Sequence, residues 1–140
     1  MSLQDRADAI AEEFDFLDDW EARYAHIIDL GKKNPPLAPN ERIEETRVRG
    51  CASQVWMIAN TDVEDILHLK AESDAMIVSG LIALLVQLFD GAPSKDVAAF
   101  DAHGFFDQIG IKDALSAQRS NGLNSMLQKI KQTVTPDQVA

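Results

Sequence analysis

The sequence predicts an α+β fold: a small antiparallel sheet of about three strands, packed against a helical layer with an apolar helix at its centre. Three observations predict it. Apolar residues recur at helical spacing through the first thirty-odd residues, the pattern turns strand-like between residues 54 and 71, and residues 75–89 are apolar almost throughout. At 140 residues, with 46% hydrophobic and 26% charged side chains, the chain has the size and composition of one domain, 1–140, able to bury its own core.

Leu3, Ala7, Ile10, Ala11 and Phe14 mark a first helix. Asp18 or Asp19 is placed to cap a second, whose stripe is Trp20, Tyr24, Ile27 and Ile28. Gly31 is expected to end that helix, with Lys32 and Lys33 suiting its negative pole. Residues 34–40, with three prolines, read as a connector. Residues 54–60 and 66–71 form two strands joined by a turn over 61–64, and Arg47-Val48-Arg49 is expected to add a third. Ser73 or Asp74 is placed to cap the helix over 75–89. Its 15 residues span roughly 22 Å, short of the ~30 Å hydrocarbon core of a bilayer, so it is expected in the protein core. Gly91 to Ser94 break it. Short helices are expected over 97–100 and 105–109. A last helix carries Leu123, Met126, Leu127, Ile130 and Val134, with Ser116 as candidate cap.

Charge narrows the partners. Thirteen basic and twenty-three acidic side chains give a net charge of −10, which repels phosphate backbones and anionic lipid, so neither nucleic acid nor membrane is expected as a partner. The start of the chain lacks the basic segment and apolar run of a secretory signal, and a lone cysteine suits a reducing compartment; the cytoplasm is expected.

No metal site or bound cofactor is expected. His26, His68 and His103 lie far apart, on a helix, a strand and a glycine-containing turn, and share no ligand spacing. No phosphate-cradling glycine loop or dinucleotide fingerprint occurs. Glu12-Glu13, Asp18-Asp19 and Glu44-Glu45 sit in polar stretches and read as solvated surface.

Cys51 is the residue with chemistry. One reading is a small buried hydrophobe. The other is a reactive thiol: Gly50 gives the backbone freedom before it, Arg47 and Arg49 can stabilise its thiolate within the positive charge that Arg42 shares, and Ser53 and Gln54 set polar groups beside it, with Val55 and Trp56 as apolar cover. The residues leave both open. No histidine is obviously placed as a base and no second cysteine exists to resolve a disulfide, which leaves thiol exchange activated by a partner.

The run Gly50-Cys51-Ala52-Ser53-Gln54-Val55-Trp56 resembles the Gly-Cys-x-Ser-x-Val-Trp pattern of the SufE (CsdE-like) family of sulfur-acceptor proteins. The resemblance continues at Trp20, Tyr24 and Ile27-Ile28, at Asp74-Ala75 and Gly80-Leu81, and at Arg119 to Leu123. It covers the chain from about Phe14 to Lys131. Ala52 stands where the family often carries Gln or Thr, and Met57 where a branched aliphatic is usual. The resemblance implies a sulfur carrier and activator. A SufS- or CsdA-like cysteine desulfurase, which itself holds the pyridoxal phosphate, would pass persulfide sulfur to Cys51, and the sulfur would move on to an iron–sulfur scaffold of the SufBCD type. It also implies a role for Arg119 near the thiol or at the partner, and a matching Asp74, whose plainer role is a helix cap. Two other readings stay open: a stand-alone one-cysteine enzyme such as a peroxidase, and an acidic adaptor with an inert cysteine.

Overall fold

The computed structural model describes residues 2–49, 53–111 and 117–135. Helix α1 (Leu3–Asp15) opens on a capping box in which Ser2 Oγ accepts the Asp5 N–H and the Asp5 carboxylate accepts the Ser2 N–H, both at 3.1 Å. Its buried stripe is the one expected, Leu3 to Phe14. Asp19 caps α2 (Trp20–Lys33), its Oδ1 accepting the Ala22 N–H at 2.7 Å. Arg23 fixes the turn between the two helices by donating from Nε to the Leu17 carbonyl at 3.0 Å and from Nη1 to the Ile109 carbonyl at 3.2 Å.

Gly31 does not end α2. The helix runs on to Lys33 and stops at Asn34, because Gly31 has a different use: it is where α2 crosses α3 (Met76–Phe89). A Cβ on Gly31 would stand 2.7 Å from the Gly80 nitrogen, and one on Gly80 would run into the Ile27 carbonyl oxygen. The two glycines let the backbones touch.

Helix α3 is the centre of the core. Ile77, Leu81, Ile82, Leu84, Leu85 and Leu88 are buried, and it packs on α1, α2 and β2. Its N-cap is Ala75, which makes no side-chain cap, so neither Ser73 nor Asp74 fills that role. A missing cap costs about 1 kcal/mol. Each buried aliphatic contributes roughly 1.5–3 kcal/mol, so burial decides where this helix sits.

The sheet has two strands where about three were expected. β1 (Val55–Thr61) and β2 (Leu67–Ser73) pair antiparallel, Val55 opposite Ser73 and Thr61 opposite Leu67. Val55, Met57, Leu67, Leu69 and Ala71 face the core, while Trp56, Ile58, Lys70 and Glu72 lie on the other face. Arg47-Val48-Arg49 makes one bridge, Arg47 opposite Trp56, with the Val48 N–H donating to the Val55 carbonyl at 2.8 Å. It goes no further because a 3-10 turn (Glu44–Thr46), held by Thr46 Oγ1 on the Glu41 carbonyl at 2.6 Å, precedes it and the chain turns away at Arg49. The hairpin turn falls one residue later than expected, over 62–66. Asp62 Oδ1 accepts the N–H groups of Glu64 and Ile66 there, and Asp65 takes a φ of 65°.

Both outer edges of the hairpin find partners. On β2 the Leu69 N–H donates to Asp90 Oδ1 at 2.8 Å and the Ala71 carbonyl accepts from Asn34 Nδ2 at 2.9 Å. On β1 the Val55 carbonyl is taken by Val48, and the Met57 carbonyl accepts Lys129 Nζ at 2.8 Å.

The short helices begin earlier than expected, as α4 (Ser94–Ala99) and α5 (Ala102–Gln108), and Asp101 caps the second through the Gly104 N–H at 3.0 Å. His103 therefore lies on a helix rather than a turn. α6 (Ala117–Val134) buries Leu123, Met126, Ile130 and Val134 as expected; Ser116, its expected cap, lies outside the described residues. Among the described residues no helix is long and apolar enough to cross a membrane.

Candidate functional site

Gly50 and Cys51, with Ala52, lie outside the described residues, so the site is defined by what holds the chain on either side. Before it, Val48 is bonded to Val55 and Arg47 is opposite Trp56. After it, Gln54 is held by Asp74: the Gln54 N–H donates to Asp74 Oδ1 at 3.1 Å, and the Asp74 N–H donates to the Gln54 carbonyl at 3.3 Å. The sequence gives Asp74 as a helix cap. It serves instead as a clamp, because β2 delivers it beside the residue that precedes β1. The chain on both sides of residues 50–52 is thus fixed to the sheet.

Ser73 supports the same junction, its Oγ accepting the Ala75 N–H at 3.1 Å and its carbonyl accepting Ser79 Oγ at 3.1 Å. Val55 is fully buried on the core face and Trp56 half-buried on the opposite face. The two therefore cover different surfaces. Ser53 is half-buried and Gln54 exposed at the strand entry.

Two of the three arginines are matched by carboxylates. Arg42 Nη1 lies 3.1 Å from Glu72 Oε2, while Glu72 Oε1 accepts the Leu37 N–H at 2.6 Å; Arg49 pairs with Glu44. Arg47 has no ion-pair partner among the described residues. The charge the sequence gathers ahead of Cys51 is thus partly spent on pinning the 37–49 segment, by exposed pairs worth at most about 1 kcal/mol each.

Arg119 lies in the first turn of α6, and its side chain is outside the described residues. That helix packs on β1, where Lys129 reaches the Met57 carbonyl; burial pushes the Lys129 ammonium below its ordinary range. Ten residues, roughly 15 Å of helix, separate Arg119 from Lys129. No local pattern points to Lys129, which sits between Gln128 and Ile130 and whose strand partner is 72 positions away.

The histidines stay apart. His26 packs edge-on against Phe14 with Glu13 at 3.5 Å, His68 meets Asp62 at 2.8 Å, and His103 is exposed on α5. Among the described residues no three His, Cys, Asp or Glu side chains gather to hold a metal ion. An open groove between the α4–α5 junction and α6 is lined by Phe100, His103, Leu127 and Lys131, and none of the described residues flanking Cys51 lines it.

The chain matches the model of a family described as "SufE: Fe-S metabolism associated domain" over residues 8–134. An uncharacterised SufE-like protein of Rhizobium etli is 47% identical over 128 residues, covering 89% of this chain and 86% of the relative. Another, from Rhizobium meliloti, is 45% identical over 127 residues, covering 89% and 91%. The solution structure of a hypothetical protein from Thermus thermophilus shares the fold at a TM-score of 0.75 and 22% identity, over 92% of this chain and 93% of that one.

Proposed function

The chain belongs to the SufE family, whose domain is associated with Fe–S metabolism, and on that premise we propose that it carries sulfur on Cys51 between a cysteine desulfurase and an iron–sulfur scaffold. One observation carries the reading: the family match spans the Gly50–Trp56 run, in which Cys51 is the chain's one cysteine. With no second thiol to resolve a disulfide, exchange with a partner's sulfur is the chemistry open to it.

The step balances without an external oxidant. The Cys51 thiolate attacks the outer sulfur of the donor's Cys–S–SH. A bond forms between Cys51 Sγ and that sulfur, the donor's S–S bond breaks, and the donor cysteine leaves as thiolate. The sulfane sulfur keeps its oxidation state. Pyridoxal phosphate, which frees sulfur from cysteine, belongs to the desulfurase in this reading.

Asp74, through Gln54, is the positioning residue. Clamping the chain three residues past Cys51 reduces the conformations in which the attacking sulfur misses the line of the donor S–S bond. Gly50 supplies the backbone freedom on the other side. Ser53 lends a hydroxyl, Trp56 half-covers the outer face, and Arg47 and Arg119 are the cations available to favour the thiolate.

Intact mass spectrometry after incubation with a cysteine desulfurase and free cysteine tests the proposal. The expected result is the gain of one sulfur atom, reversed by reductant and absent in Cys51→Ser. No gain beside a demonstrably active desulfurase, repeated with a second desulfurase, would sink it.

A further inference from the structure

The turn between α1 and α2 carries features that neither the fold nor the thiol chemistry uses. Residues 12–21 hold six acids, Glu12, Glu13, Asp15, Asp18, Asp19 and Glu21, and no base. Asp19 and Glu21 serve the start of α2, where negative charge is favourable. Glu12, Glu13 and Asp15 sit at the end of α1, the pole where carboxylates are unfavourable, and no basic residue offsets them in that last turn. Phe16 follows as the C-cap, 78% exposed, and Trp20 is 37% exposed beside it in sequence. Asp19 caps α2, Glu13 lies 3.5 Å from His26 and Trp20 packs on Tyr24, but local stability explains neither Glu12 and Asp15 at that pole nor the exposed Phe16.

The turn is also held in shape. Leu17 N–H donates to the Phe14 carbonyl at 3.0 Å, Arg23 holds the Leu17 carbonyl, and Trp20 packs edge-on against Tyr24 with centroids 6.1 Å apart. The Trp20–Tyr24 pair is preformed, with Phe16 exposed four residues before Trp20 and the acids interleaved among them in sequence, so it loses little freedom on binding. Its complement is an apolar cleft rimmed by lysine and arginine. Anionic lipid, nucleic acid and a second copy of this acidic surface all carry the wrong charge.

We propose that this turn is a second contact with the cysteine desulfurase, seated in a basic-rimmed apolar cleft of that enzyme. The inference rests on the carrier reading above. Helix α2 is about 20 Å long and its far end, Asn34, bonds to Ala71 near the Asp74 clamp. An ordinary interface of about 800 Å² per partner, roughly 30 Å across, is wide enough to take in both ends of that helix.

The test measures desulfurase turnover against concentration of the carrier for wild type, Phe16→Ser, Asp15→Lys and, as a control at the hairpin tip, Val63→Ser, with direct titration calorimetry of each pair. Phe16→Ser and Asp15→Lys are expected to raise the KM for the carrier and the Kd at least tenfold while the saturating rate stays within twofold. Asp15→Lys keeps or raises Tm, and Val63→Ser changes nothing. An unchanged KM and Kd in both variants would overturn the proposal, as would a fall in saturating rate that tracks lost Tm. Loss of binding to the scaffold or to phosphatidylcholine vesicles, with desulfurase binding intact, would overturn it as well. If wild type binds the desulfurase but Cys51 gains no sulfur, the carrier reading fails, and the calorimetry still decides the docking contact on its own.

Discussion

Asp74 makes two hydrogen bonds with a residue twenty positions earlier, and their strength sets what its loss does. A net hydrogen bond contributes about 1 kcal/mol, so Asp74→Ala should speed hydrogen exchange of the Gln54 amide roughly fivefold. Asp74→Asn, which keeps an acceptor, should restore much of the protection; equal exchange in all three proteins would exclude the clamp. Asp62 offers a test in pH. The His68 hydrogen bond, then the N–H groups of Ile66 and Glu64, hold its carboxyl below the ordinary 3.8. A lowered carboxyl favours the folded state above its unfolded value, and that contribution is lost as pH falls through the folded value. His68→Ala should therefore move the Asp62 titration, read by carboxyl carbon chemical shift, up toward 3.8, with the backbone donors keeping it partly lowered. No movement would mean the ring does not set it. At this scale the sequence singles out the residues around the thiol but not the contacts they make. Gln54 and Asp74 were both singled out, yet nothing local says that they meet. Arg42 and Arg49 look like free charge ahead of Cys51 because Glu72 lies too far along the chain, and Glu44 among too many acids, to be recognised as their mates.

Helix-scale features were legible where the signal is periodic. The stripe from Leu3 to Phe14, the Asp19 cap and the apolar run through α3 depend on neighbours three or four residues apart, and each came out as the pattern required. What depends on another element did not. Gly31 read as a helix end because a lone glycine usually marks one; only the position of Gly80 shows it to be a crossing. The distinction reverses the sign of a mutation. Gly→Ala in an exposed helix stabilises by roughly 1 kcal/mol. At the crossing, Gly80→Ala should destabilise by on the order of 3 kcal/mol, since a helix must shift to admit the methyl group. Urea melts should show a lower midpoint with the same slope, and an unchanged midpoint would mean that α2 and α3 do not touch there. The absent third strand has a similar cause: the Glu44–Thr46 turn fixes the preceding backbone and leaves one residue of Arg47–Arg49 in register.

For the whole molecule the governing quantity is the net charge of −10. Self-repulsion destabilises the compact state and salt screens it, so Tm should rise between about 10 and 150 mM salt, where the screening length falls from roughly 30 to 8 Å. Attraction to a basic partner responds the other way, and desulfurase affinity should fall over the same range. A Tm that is flat or falling would show that local ion pairs such as Arg42–Glu72 outweigh the global field. Both effects act on a molecule whose copies repel one another, and the hairpin bears on how they stay dispersed. A two-stranded sheet is all rim, and an uncovered rim invites a neighbour's backbone to zip onto it and seed a fibril. Asn34 and Asp90 cover that rim along β2, as Val48 and Lys129 do along β1. Together with Gly91 and Ala92, whose backbone pairs with Leu67, these residues should keep crowded copies from polymerising, and Asn34→Ala with Asp90→Ala is the pair of changes that should turn concentrated solutions turbid and thioflavin-positive.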